Sequence, residues 1–151
     1  MSILKDIHYT VQLDLNDLIV GDHIASGFYR KVYNYHPDSR CVIKLETTDS
    51  SHFHNANEWT FWNEMKETKW AKWLAPCCSI SSNGTCLIQV RTTPLVGNMP
   101  KKIPNFMNDT KRGNWGMLEG RPVLHDYGHS EIHGIAMKQF KMIKYNPKKF
   151  G

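Results

Sequence analysis

The chain has 151 residues, enough for one domain with a real apolar core, and 40% of them are hydrophobic, which excludes a wholly disordered chain. No apolar run approaches the about 20 residues that a membrane-spanning helix needs. The opening Met1-Ser2-Ile3-Leu4-Lys5-Asp6 lacks the charged-then-apolar pattern of a signal peptide, so a cytoplasmic protein with no membrane contact is expected. A formal charge of +5 favours anionic partners: nucleotide phosphates, nucleic acid or an acidic protein surface.

Residues 1–20 read as an irregular lead into the first strand, with turn or cap chemistry at Asp14 to Asp17. Gly21 to Tyr35 carries strand character around Val32, where aromatic and polar residues alternate. His36-Pro37-Asp38-Ser39-Arg40 is a turn, and Cys41 to Leu45 a further strand. A polar loop, Thr47 to Ser51, then leads into a helix expected from Phe53 to Leu74 and stopped by Pro76. On that helix Glu58, Trp62 and Met65 share one face by their i, i+4, i+7 spacing, whereas Glu64 lies off it. Trp59, Trp62, Trp70 and Trp73 read as packing residues.

Cys77 to Ser82 and Thr85 to Val90 flank Asn83-Gly84, a strong hairpin signal. Cys41, Cys77, Cys78 and Cys86 show no C-x-x-C spacing and read as reduced strand residues rather than a zinc site. Val96 to Pro104 is short and rich in Pro and Gly. Trp115 to Leu124 reads as two strands turning at Glu119-Gly120, which would bring Asn114 and Asp126 together at the open end. Two adjacent oxygen-bearing side chains suit a hard cation such as Mg²⁺. Ile132 to Met142 reads as irregular or as one short helix, and Lys144 to Lys149 as solvated.

The pattern D-x-K-x-x-N at Asp109, Lys111 and Asn114, followed by Asp126-Tyr127-Gly128, resembles the catalytic loop and metal motif of the protein kinase-like superfamily. Val42-Ile43-Lys44 is similar to that family's V-A-I-K strand. Its glycine-rich loop falls on Ala25, Gly27, Arg30 and Val32, where only the middle Gly and the Val match. The resemblance covers Gly21 to Gly128 and implies an α+β fold. In it a kinase-like N-lobe (antiparallel sheet plus one long helix, residues 1–95) precedes a reduced C-lobe remnant (96–151) carrying the catalytic and metal loops. Met107 stands where the family has a bracing His. The segments between Leu95 and Asn105 and after Gly128 are too short for the family's helical platform.

What the resemblance implies about chemistry is ATP and Mg²⁺ as cofactors. Gly27, Val32 and Lys44 would hold the nucleotide, with Glu58 orienting Lys44; Glu64 is the other candidate for that pairing, and an exposed helix glutamate the other reading of Glu58. Asn114 and Asp126 would hold Mg²⁺, Asp109 would accept the nucleophile's proton, and Lys111 would stabilise the γ-phosphoryl group. The resemblance extends to small bacteriophage kinase-like proteins, which implies a host-directed role with a host protein as partner. A catalytically silent pseudokinase that docks on and inhibits a host (bacterial) protein, offering Tyr29, Tyr33 and Tyr35, is the alternative. Nucleic-acid binding has no motif behind it. A histidine metal site at His52/His54 or His125/His129 lacks helix-spaced acidic ligands.

Overall fold

The computed structural model describes residues 16–46, 52–128 and 137–146. The expected loop Thr47 to Ser51, most of the lead segment, and the larger part of the tail including His129 lie outside the described residues.

The chain is α+β, with mainly antiparallel sheet and few helices. Five strands, β1 (Val20–Ser26), β2 (Arg30–Tyr35), β3 (Cys41–Glu46), β4 (Cys77–Ile80) and β5 (Cys86–Val90), form one sheet in the order β1-β2-β3-β5-β4. β1 and β2 are two strands where the sequence showed one clear strand signal. Hairpin logic explains both ends of the sheet: Gly27-Phe28-Tyr29 turns β1 into β2, and Gly84, at φ 76°, turns β4 into β5. Asn83 Oδ1 locks the second turn by accepting from the Thr85 amide at 3.1 Å and its hydroxyl at 2.7 Å. All four cysteines sit on strands.

Helix α1 (His54–Met65) packs against the sheet. Phe53 supplies no side-chain cap. The start is capped from β3 instead, where Glu46 accepts the His54 amide at 2.8 Å and the Asn55 amide at 3.1 Å. The helix is shorter than expected. It stops at Met65, where the Thr68 amide and hydroxyl both bond the Met65 carbonyl, at 2.9 and 2.7 Å. A turn and a single 3-10 turn, Ala71–Trp73, follow. The apolar pattern runs on through this turn because Trp70 and Leu74 are buried by tertiary packing and not by helical periodicity.

Beyond the sheet, β6 (Thr93–Pro94), β8 (Trp115–Leu118) and β9 (Arg121–Leu124) form a three-stranded sheet. β7 (Lys102–Pro104) pairs with β10 (Met142–Lys144), an unexpected strand that starts where the segment expected to be irregular or one short helix ends; within that segment Met137–Gln139 forms a single 3-10 turn. The β8–β9 turn is as expected: Glu119 and Gly120 both take positive φ, at 51° and 76°, the requirement of a tight two-residue hairpin. No helix forms among the described residues between Leu95 and Asn105.

Phe61 and Met65 of α1, Trp70, Leu74, Leu87, Ile103, Phe106, Met107, Trp115, Leu124 and Tyr127 make one core that joins the sheet to these smaller pieces. Trp59, Trp62 and Trp73 are half-buried against it, in the packing role expected of them. Met107 is therefore a core residue. No described helix is long and apolar enough to cross a membrane.

Candidate functional site

A cleft of about 340 Å³ opens between the β1–β2 hairpin and the loops around residues 109–114 and 125–126. Gly27, Val32, Lys44, Asp109, Lys111, Asn114 and Asp126 all line it. Glu58 lies directly behind, fully buried. Residues scattered over a hundred positions of chain thus converge on one concave surface.

Sheet register explains part of this. Val32 on β2 and Lys44 on β3 are direct cross-strand partners, so their side chains share the face that looks into the cleft. Gly27 sits in the hairpin turn, where its amide donates to the Arg30 carbonyl at 2.8 Å. Lys44 Nζ donates to Glu58 Oε2 at 2.9 Å and to the His125 carbonyl. Glu58, not the exposed Glu64, is therefore the residue that meets Lys44.

The loop from Asp109 to Asn114 is held by side chains that capture its backbone. The Asn114 amide group donates to the Asp109 carbonyl at 2.8 Å, and the Trp115 indole and Tyr145 hydroxyl both donate to the Thr110 carbonyl at 3.1 Å. Arg112 reaches the carbonyls of Leu95 and Gly97. Asp109 and the exposed Lys111 approach to 3.9 Å, a loose surface pair.

His125 supplies a brace that the sequence did not reveal. Its Nε2 donates to the Gly113 carbonyl at 2.9 Å, which leaves Nδ1 to accept from the Thr92 hydroxyl at 2.8 Å. Burial, helped by the Lys44 charge, pushes its pKa below the usual imidazole range and favours this neutral form.

The β8–β9 hairpin does bring Asn114 and Asp126 to one site, and the ladder continues past it through the His125 amide and the Asn114 carbonyl, at 2.9 Å. Asp126, however, accepts a hydrogen bond from Arg30 Nη2 at 2.6 Å. The same guanidinium donates through Nη1 to Glu58 at 2.5 Å and to Asn55 at 3.2 Å. The sequence offered a signal here, since Arg30 stands where the glycine-rich loop has its last Gly. The structure turns the Arg30 side chain inward onto two carboxylates.

Arg30, Lys44, Glu58 and Asp126 thus form a quartet of two cations and two anions, three of them with side chains no more than 8% exposed. Burial would lower the Arg30 pKa, yet Glu58 and Asp126 outweigh it and hold the guanidinium above its usual value. Burial likewise works to raise Glu58, and the Arg30 and Lys44 charges outweigh it, keeping the carboxylate ionised below its usual range. Such a set contributes specificity of geometry rather than net stability, because each ion's desolvation offsets its Coulomb attraction.

The arrangement bears on the expected Mg²⁺. Of the two oxygen ligands it would use, the Asp126 carboxylate is already bonded to a cation. Among the described residues no group of three or more His, Cys, Asp or Glu side chains is placed to hold a metal ion. At the mouth of the cleft Tyr29 stacks on His54 and meets His52 at a tilt, with ring centroids 4.9 and 4.0 Å away, while Tyr33 and Tyr35 are half-buried. Phe28, at the hairpin tip, is fully exposed. The Gly128 position lies so close to α1 that a Cβ there would stand 2.5 Å from the His54 carbonyl oxygen. No family model and no curated protein matches this chain.

Proposed function

We propose that the chain is a kinase-like nucleotide-binding module, with ATP as its ligand, an N-lobe-like half in residues 1–95 and a reduced C-lobe-like remnant in 96–151. One observation carries this reading: Lys44, Asp109, Lys111, Asn114 and Asp126, from two separate parts of the chain, line one cleft, with Glu58 bonded to Lys44 behind it. Lysine donors suit phosphates, and the apolar side chains of the lining, Ala25, Phe28 and Val32, suit a nucleobase.

Phosphoryl transfer to a host protein is the fuller form of this proposal. Asp109 would accept the nucleophile's proton and Lys111 would stabilise the γ-phosphoryl group. Asn114 and Asp126 would meet Mg²⁺ once Asp126 exchanged its bond to Arg30 for the ion. Positioning and electrostatics carry most of such chemistry, so a small scaffold can supply it. The second reading, a catalytically silent protein that docks on a host (bacterial) partner, is favoured by the Arg30–Asp126 bond, which occupies a carboxylate the reaction needs.

A thermal-shift titration with ATP, run once with Mg²⁺ and once with EDTA, tests the nucleotide reading. A ligand at 100 times its Kd stabilises the folded state by about 2.7 kcal/mol, a readily measured rise in Tm. Lys111→Ala, at an exposed position, should diminish the rise without lowering the ligand-free Tm. Absence of any rise at millimolar ATP in both conditions would sink this reading in favour of the docking protein.

A further inference from the structure

We propose that Arg30 is the resident cation of this cleft: it holds Asp126 where a divalent ion would otherwise bind, so that the site takes its nucleotide as the free anion, without metal. This deepens the nucleotide reading and rests on it, and it excludes the Mg²⁺-dependent form of that reading.

A divalent ion beside a carboxylate in a phosphate site does two things. It cancels the carboxylate's repulsion of the phosphates, and it bridges the two. Arg30 already performs the first. Its Nη2 lies 2.6 Å from Asp126 Oδ1, a distance typical of a charge-assisted bond. The guanidinium cannot give up its proton near neutral pH, so no ordinary change of conditions removes the charge. Nor is it free to swing away. Nη1 is bonded to Glu58 and Asn55, Nη2 makes a further 3.4 Å contact to Glu58 Oε1, and the residue's backbone is fixed by pairing with Glu46 across β2 and β3.

To reach Asp126, a metal ion would have to shed water, which Mg²⁺ does reluctantly, and displace a buried guanidinium bonded to two carboxylates. Around the cleft three cations, Arg30, Lys44 and Lys111, face the carboxylates Glu58, Asp109 and Asp126, with Glu46 behind Arg30 as a fourth. Without Arg30 two cations would stand against four carboxylates, and the place beside Asp126 would attract a cation from solution. The metal preference of the cleft is therefore set by residue 30. The bridging part of a metal's work passes to Lys44 and Lys111, both of which line the cleft.

The test uses the full chain and two readouts. Calorimetric titration of ATP into the unaltered protein should give an apparent affinity no tighter in Mg²⁺ than in EDTA, because Mg²⁺ in solution only withdraws the free anion that the site takes. Electron paramagnetic resonance should find no bound Mn²⁺ in the absence of nucleotide. In Arg30→Gly, Mn²⁺ should bind, and ATP should bind at least tenfold more tightly with Mg²⁺ than with EDTA. If that variant does not fold, Arg30→Gln, a polar side chain of nearer size without the charge, carries the same expectation.

Binding of ATP to the unaltered protein that is tenfold or more tighter with Mg²⁺ would overturn the inference while leaving the nucleotide reading intact. Mn²⁺ bound to the unaltered protein in the absence of nucleotide would overturn it as well. ATP binding in neither condition would overturn both readings together.

Discussion

Helix α1 faces two different interiors. Its first half buries His54, Asn55 and Glu58 among charges and hydrogen bonds, while its second half buries Phe61 and Met65 in an apolar core. The apolar half gains stability from area removed from water and close packing, which are indifferent to pH. The charged half gains little net stability, yet each group fixes the others' positions, and removing any one leaves its partners stranded. One face of one helix therefore joins a part that holds the fold together to a part that holds a geometry.

The sharpest way to break this contrast is to truncate one residue from each half. Glu58→Ala should cost about 3–5 kcal/mol, because it strands Arg30 and Lys44 in a buried site. Phe61→Ala should cost a similar 3–5 kcal/mol through a cavity. Urea denaturation across pH separates them. The folded pKa of Glu58 lies below its ordinary 4.5, so its contribution is present above that pH and is lost as pH falls through the lower folded value. The Glu58→Ala deficit should therefore shrink in acid and the Phe61→Ala deficit should not. Equal pH dependence of the two would show that the quartet contributes nothing of its own.

A smaller loss is expected at the boundary between the two interiors. The Tyr127 hydroxyl donates to the Ala75 carbonyl at 2.7 Å and lies 3.3 Å from Cys77 Sγ, so Tyr127→Phe should cost about 1–3 kcal/mol by leaving a buried carbonyl unsatisfied. Chemical denaturation at neutral pH would detect it, and a neutral substitution would place Tyr127 wholly in the apolar half.

His125 sharpens the charged half further. Its folded pKa is lowered from 6.5, so the unfolded chain takes up the proton first, and stability should decline as pH drops below about 6.5. His125→Gln should remove that part of the slope in a plot of unfolding free energy against pH. An unchanged slope would mean that the imidazole is no less comfortable charged when folded. Least of all should change at Glu64, which sits on the exposed face of the same helix: Glu64→Ala should stay within about 0.5 kcal/mol.

What the sequence disclosed follows from how local each cause is. The turns at Asn83-Gly84 and Glu119-Gly120 are dictated by two adjacent residues, and both hairpins formed as read. The Lys44–Glu58 contact joins residues 14 apart; helical spacing favoured Glu58 but left Glu64 open, and tertiary packing decides between them. The end of α1 was misjudged because Trp70 and Leu74 are apolar for reasons of tertiary burial, which imitates helical periodicity. β10 was missed because three residues pairing with a strand some forty positions earlier leave no local trace. The bond from Arg30 to Asp126 spans 96 positions. Its only sequence trace was a side chain where the resembled loop has a glycine, and that trace does not say which way the side chain points.

The Asp126-Tyr127-Gly128 segment is fastened to α1. The Tyr127 amide is bonded not to another backbone group but to the buried Glu58 carboxylate, at 2.7 Å, and Gly128 rests against the His54 carbonyl with no room for a Cβ. Helix and segment are thereby clasped at two points about one turn of α1 apart. The Tyr127 amide proton can meet solvent only when the helix lifts away from the loop, so its exchange with deuterium times that lifting. A slow proton in a stretch without regular secondary structure would act as a clock for the opening of the whole cleft.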